Sequence, residues 1–298
     1  MPILQVISSS SRAGKSAVLA GLAQGLAGDG ARVQVFRAGA SEGARADAEA
    51  FLEAGLTSPG QPVEPSSIAP PAGTLALVEL DAGEKPLDGL AVIVVRGEPT
   101  DADAALAKAL GAHLIGSVAT DVPLSNVDAA AAKLTDAGLR PLAILPEDRT
   151  LASPSVEDIR RALAADVLYE GENFHAAIEN VLVAPVYTDG AKMHFWRYEG
   201  TRAVLMPSYK TDLALAAIEA DAACVIVTGG HQPSHYVIDR VQHSPTTLLL
   251  AQQQTPAAVA ALSDVWGTSG FSGEAKAAAA YELLRDRIDW PALQRKLA

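Results

Sequence analysis

Ser8-Ser9-Ser10-Ser11-Arg12-Ala13-Gly14-Lys15-Ser16 sits between a short apolar run, Ile3 to Ile7, and an Ala/Leu-rich segment, Ala17 to Ala27, that is apolar all round and free of proline. Strand, polar loop and helix in that order leave the first N–H groups of the helix without intrahelical partners, and such an N-terminus attracts phosphate oxygens. Ser11, Arg12, Ala13, Gly14, Lys15, Ser16 and Ala17 are therefore the expected phosphate contacts. In this chemistry Gly14 permits close backbone approach, Lys15 reaches the β- and γ-phosphates, and Ser16 offers its hydroxyl to Mg2+. Ser9 stands where the common G-x-x-x-x-G-K-[ST] pattern has glycine, and serine resists positive φ. A serine-rich turn with an accidental Gly-Lys-Ser is the competing reading; the strand-loop-helix setting favours the phosphate loop.

The rest of the composition suits a sheet covered by helices. Apolar residues make up 49% of the 298 residues and aromatics only 5%, so the core is built of Ala, Val, Leu and Ile, the material of buried parallel strands. The net charge of −12 comes without any basic run, which removes the electrostatic footprint for nucleic acid or an anionic membrane. Cys224, the one cysteine, lies in the apolar run Ala222 to Val227; a buried thiol with no disulfide framework fits a reducing compartment. The sequence opens on a strand rather than on a cationic and apolar leader, and no apolar run approaches the roughly 20 residues of a spanning helix. The expectation is a cytoplasmic protein.

Strand-like and helical segments alternate along the chain, the pattern of a parallel α/β sheet. After Val33–Phe36 and a helix at Ala44–Glu53, the Pro- and Ser-rich stretch from Thr57 to Gly73 reads as a surface connection. Strands at Thr74–Leu80, Leu90–Val95, Ala112–Val118 and Pro141–Leu145, with helices at Asp101–Leu110 and Val127–Ala137, complete a first domain over residues 1–147. A second, smaller α/β domain follows over 148–265, with strands at Asp166–Leu168, Val181–Val186, Ala203–Met206, Ala223–Thr228 and Thr246–Leu250. Its helices are expected at Val156–Ala164, Asp212–Ala220, Ser234–Gln242 and from Pro256. A helical tail over 266–298 closes the chain.

Several side chains fall where ligands of open α/β sheets bind, at the carboxyl ends of strands. Glu79 ends the third strand and can hold Mg2+ together with Ser16; Asp81 two residues on could do the same, and a solvated loop carboxylate is the alternative. Arg37 ends the second strand, facing phosphate or an anionic substrate, or else pairing with an acid. Asp47, in the following helix with Glu49, is a second metal contributor or part of a solvated face. Thr120 and Asp121 follow the fifth strand, where they read a base or cap the next helix. In the second domain Thr228-Gly229-Gly230 ends a strand ahead of a helix, which suits an anion or a plain turn. His231 and His235 lack companions for zinc, and no G-x-S-x-G elbow is present.

These segments resemble a P-loop domain similar to dethiobiotin synthetase followed by a DRTGG domain, as in the N-terminal half of long bacterial phosphotransacetylases. The resemblance covers about residues 3 to 265. Its motifs are Ser8 to Ser16, Asp47-Ala48-Glu49-Ala50-Phe51, Leu77-Val78-Glu79, the junction Leu145-Pro146-Glu147-Asp148-Arg149 with Pro154-Ser155-Val156, and Val227-Thr228-Gly229-Gly230. The chain departs from the family's pattern at Leu80-Asp81-Ala82-Gly83, at Arg37-Ala38 in place of Lys-Pro, at Thr120 in place of Asn, and at Pro207 to Asp212. The acetyltransferase domain of those enzymes is absent from the sequence.

The resemblance implies a P-loop NTPase-like sheet flanked by helices, with ATP and Mg2+ as ligands. It implies metal held by Ser16, Asp47 and Glu79, and nucleotide held by Ser11 to Ala17 with Thr120. It further implies a regulatory nucleotide-binding protein that forms a homodimer through its DRTGG-like half and serves a metabolic enzyme as partner. Two other readings stand beside it. One is an ATP-dependent carboxylate ligase of the dethiobiotin synthetase or cobyrinate amidase type, or an ATPase of low activity, with Lys15 and Arg37 as catalytic residues. The other is a degenerate scaffold that binds no nucleotide.

Overall fold

The run Ile3–Ile7 is strand β1, third in a six-stranded sheet of the computed structural model, which describes residues 3–184 and 191–297. The chain divides into two compact units, Met1–Leu151 with Gly270–Ala298, and Ala152–Ser269.

In the first unit β1 leads through the serine loop into α1 (Lys15–Gly28), followed by β2 (Val33–Arg37), α2 (Glu42–Glu53), β3 (Leu75–Glu79), β4 (Leu90–Arg96), α3 (Asp101–Leu110), β5 (Leu114–Val122), α4 (Val127–Asp136) and β6 (Pro141–Pro146). The strand order is β2-β3-β1-β4-β5-β6 and every pairing is parallel. The chain leaves β1 toward β2 on one side and leaves β4 toward β5 on the other, so the reversal of winding lies at the carboxyl ends of β1 and β4, where open α/β sheets bind ligands.

Helices cover both faces. One core joins Leu4, Val6 and Leu77 to Val18, Leu19 and Leu22 of α1, to Phe51 of α2 and to Leu284, Leu293 and Leu297 near the C-terminus; the other joins Ile93 and Val95 to Ala107 of α3 and Leu134 of α4. A short turn of helix, α5 (Arg149–Ala152), carries the chain out of this unit.

The second unit follows the same logic. It comprises α6 (Val156–Ala162), β7 (Asp166–Tyr169), β8 (Asn180–Val183), α7 (Ala191–Trp196), β9 (Arg202–Pro207), α8 (Thr211–Glu219), β10 (Cys224–Thr228), α9 (His235–Val241), β11 (Thr247–Leu250) and α10 (Thr255–Ser263). Its sheet runs β7-β11-β10-β9-β8, parallel except for β7 against β11. Phe195, Leu213 and Val237 close one face, and Val156, Ile159, Ala258 and Leu262 the other. Of the strand expected over 181–186, residues 185 and 186 lie outside the described residues. Helix α7 was not expected.

The last two helices, α11 (Gly273–Arg285) and α12 (Trp290–Leu297), belong to the first unit, not to a separate tail. They explain why α1 is apolar all round: a helix of that kind is buried on every side. A Cβ at Gly21 would lie 2.6 Å from Leu284, and one at Gly25 would run into the Trp290 ring, so the two small residues let α11 and α12 close on α1. Leu284 and Leu293 are buried there, each contributing about 1.5–3 kcal/mol. Among the described residues no helix is long and apolar enough to cross a membrane.

Candidate functional site

The first turn of α1 is built without the usual caps. Helices α2, α3 and α6 begin with a side-chain cap from Ser41, Thr100 and Ser155; α1 begins at Gly14 with no side-chain cap and no acidic residue in its first turn, features that α9 and α10 share, and what sets it apart is Lys15 buried at its first position. Its orphan N–H groups and positive dipole end are left for another acceptor. Gly14 holds φ +85, open to glycine at no steric cost, and Arg12 holds φ +57. A non-glycine residue in that region costs of order 1 kcal/mol and is a frequent feature of ligand loops.

Ser9 is not among the positive-φ residues. The objection to serine at that position therefore falls away: the left-handed positions are Arg12 and Gly14. Ser9 instead donates from Oγ to Asp103 Oδ1 at 2.6 Å, and Asp103, in the capping box of α3, is buried. Asp103 is a residue the sequence reading missed; the Thr100-x-x-Asp103 spacing ahead of an apolar run was its signal.

Lys15, the first residue of α1, is 7% exposed. Its ammonium donates to Ser8 Oγ at 3.2 Å and lies 4.0 Å from Glu79 Oε1. Ser8 Oγ in turn donates to Ser10 O at 2.6 Å, folding the loop over the ammonium. Ser16 Oγ donates to Glu79 Oε1 at 3.1 Å.

Thr120 corrects an expectation. It does not follow the fifth strand but lies within β5, and its Oγ1 donates to Ala13 O at 2.7 Å, with the side chain packed against Gly14. It braces the loop from beneath. Asp121 pairs with Arg96 at 2.7 Å, both half-exposed.

Arg37 also departs from expectation. It is 4% exposed, and its donors are committed within the protein: Nε to Asp47 Oδ2 at 3.1 Å, Nη1 to Ala38 O and Nη2 to Asp81. Glu79 Oε1 lies 3.8 Å from Nε. The acid-pairing alternative describes this residue: each of its three nitrogens donates within the protein.

The carboxylates respond to this crowding. Burial, and then the charge of Asp47, push Glu79 up to about 7 against the pull of Arg37, Lys15 and Ser16. Burial also raises Asp47 in spite of Arg37. At Asp81 the smaller burial penalty is outweighed by hydrogen bonds from Arg37 and Ser41, and its carboxyl lies below the usual range. Glu79 Oε2 is buried without a hydrogen-bond partner. Ser16, Asp47 and Glu79, the expected magnesium set, are thus brought together, but around a guanidinium.

In the second unit the glycine pair is spent. Gly229 and Gly230 hold φ +92 and +72, and their N–H groups donate to Gln253 O at 2.8 Å and Ala251 O at 3.1 Å. Thr228 Oγ1 is 2.6 Å from Thr255 Oγ1. These contacts make a turn between β10 and α9, the plain-turn alternative for these residues, with both amides donated within the protein. Cys224 is buried in β10 with its thiol pushed far up by burial, an inert packing residue.

Comparison with known proteins bears on the second unit most directly. The family model described as the DRTGG domain matches residues 158–265. A phosphate acetyltransferase of Nitratidesulfovibrio vulgaris is 23% identical over 227 residues, covering 72% of this chain and 29% of that protein, so the chain spans less than a third of its relative's length. The CBS and DRTGG domains of the regulatory region of Clostridium perfringens pyrophosphatase, solved in complex with its activator diadenosine tetraphosphate, match with a TM-score of 0.33 and 18% identity over 40% of this chain and 52% of that one. The chain carries a DRTGG domain and is distantly similar to phosphate acetyltransferase.

Proposed function

We propose that the first unit binds a nucleotide, with ATP the leading choice, at the loop between β1 and α1, and that this binding serves regulation. The observation that carries this reading is an uncapped helix N-terminus whose first residue, Lys15, is buried behind a left-handed Gly14 and held by Ser8 and Glu79. Orphan amides and a lysine converging on one loop are the donor set that phosphate oxygens require. Occupancy would draw Lys15 off Ser8 and Glu79 and so alter the charge balance at the edge of β3.

The carboxylate-ligase reading asks Arg37 to orient a substrate, whereas its Nε, Nη1 and Nη2 each donate within the protein, to Asp47, Ala38 and Asp81. Regulation through the DRTGG unit, by a homodimer or by contact with a metabolic enzyme, rests on the distant similarity to phosphate acetyltransferase. The exposed Met193, Trp196 and Val183 of the second unit are apolar surface for such a contact.

The test is a melting panel of nucleotides against wild type and Lys15→Ala. A ligand at 100 times its Kd stabilises by about 2.7 kcal/mol, a rise of about 5–10 °C for a unit of this size. Wild type should show that rise with at least one nucleotide, and Lys15→Ala should lose most of it. No rise in wild type, or an equal rise in the variant, ends the proposal.

A further inference from the structure

We infer that Arg37 occupies the place of a divalent cation between Asp47 and Glu79, so that the wild-type site holds no metal there. Where it meets phosphate, which rests on the nucleotide reading, it works with protein cations alone.

Three observations converge on this. The first is position: Arg37 Nε lies 3.1 Å from Asp47 Oδ2 and 3.8 Å from Glu79 Oε1, within reach of both carboxylates, and Nη2 pairs with Asp81. Mg2+ requires oxygens at about 2.0–2.1 Å in near-octahedral array, and it cannot take that position while the guanidinium is there. The second is burial. Mg2+ gives up its waters reluctantly and keeps several in most sites, whereas Arg37 is 4% and Glu79 2% exposed. The third is charge. Lys15 and Arg37 face Asp47, Glu79 and Asp81, a cluster with one net negative charge in its fully ionised form. Without Arg37 the same groups would carry two negative charges, which is what a divalent ion balances. Ser16 Oγ, the remaining member of the expected metal set, is turned onto Glu79, and Glu79 Oε2 is a buried acceptor with no partner.

Mn2+, read by its EPR signal, stands in for Mg2+ on EDTA-treated, dialysed protein. Wild type and Glu79→Gln should take up the same amount of Mn2+, all of it weak surface binding to an acidic protein. Arg37→Met should gain one Mn2+ per chain, and Arg37→Met combined with Glu79→Gln should lose it again. Wild-type uptake of one Mn2+ that Glu79→Gln abolishes overturns the inference, as does a folded Arg37→Met that gains none. If Arg37→Met does not fold, the comparison of wild type with Glu79→Gln decides by itself.

A second measurement separates this inference from the nucleotide reading. Wild-type affinity for ATP should agree within about threefold between EDTA and excess Mg2+; a gain above about thirtyfold with Mg2+ overturns the inference. No ATP binding in either buffer would sink the nucleotide reading, and the Mn2+ uptake would then decide the role of Arg37 alone.

Discussion

Two largely parallel sheets in one chain end in opposite ways. At the carboxyl edge of the first, α1 is uncapped, Lys15 is buried at its start, and Arg37, Asp47, Glu79 and Asp81 gather beside it. At the edge of the second, Gly229 and Gly230 both hold positive φ at the end of a strand, and their amides are already donated to Gln253 and Ala251. Glycine at a strand end is therefore a weak sign of an anion site. What counts is whether the amides there are spent, and here that depends on the segment that follows β11, more than twenty residues on.

The strongest way to test the difference is to remove the central cation of the first edge. Arg37→Met leaves Asp47, Glu79 and Asp81 facing one another with little exposure, and deleting one partner of a buried ionic network costs about 3–5 kcal/mol. Urea denaturation should show the transition of the first unit moved to a clearly lower midpoint, with that of the second unit in place. A midpoint unchanged in the first unit would mean that the cluster is not a unit of stability at all.

Acidity gives the next largest effect. Glu79 has its folded value raised to about 7 from an ordinary 4.5, so between those values the folded state holds more protons than the unfolded one. Its contribution is fully present below about 4.5 and is lost as pH rises through about 7. Asp47, also raised, adds in the same sense, while Asp81, lowered, acts only at more acid pH. Wild-type stability should therefore decline from pH 5 to pH 8, and Glu79→Gln should flatten most of that decline. Equal slopes in the two proteins would show that the proton is not on Glu79.

Much of this was legible in the sequence. Alternating apolar runs located the strands of both sheets among the described residues, and α1 read as apolar all round, although only the structure shows that α11 and α12 pack against it. Helix α7, six residues long, is too short to carry a period. The site was half visible. Strand ends placed Lys15, Arg37 and Glu79 on one edge, but whether Arg37 meets a ligand or an acid is decided by Asp81 beyond β3 and Asp47 on α2, a matter of rotamers and not of spacing. Thr120 escaped because the polar pair Thr120-Asp121 interrupts the apolar run of β5 before it ends at Val122, with register shifts between Ala119 and Val122, and the hydrogen bond that rewards the polar residue there goes to Ala13, far earlier in the chain.

At the second edge the expected effect is smaller and purely structural. A Cβ on Gly229 would sit 3.5 Å from the Gln254 side chain, an ordinary contact, so Gly229→Ala is penalised only for its φ of +92, about 1–2 kcal/mol. The second unit should lose that much stability in a urea titration while nucleotide affinity of the whole chain stays the same. A fall in affinity would make the TGG turn a ligand site after all.

The smallest effect concerns Ser9, the residue that made the first edge look defective. Because it does not use positive φ, glycine there offers the loop nothing, and both Ser9→Gly and Ser9→Ala remove the same bond to Asp103. Asp103 keeps the Thr100 hydroxyl and N–H on Oδ2, so the carboxylate retains two donors when Oδ1 loses Ser9, and the loss should be that of one hydrogen bond, about 0.5–1.5 kcal/mol. Glycine should be slightly worse than alanine, since it adds unfolded-state entropy. Isothermal titration should find both variants within a few fold of wild type for nucleotide. If Ser9→Gly bound nucleotide markedly tighter, the loop would have to pass through a left-handed Ser9 on binding, and the first edge would be a strained cradle instead of a finished one.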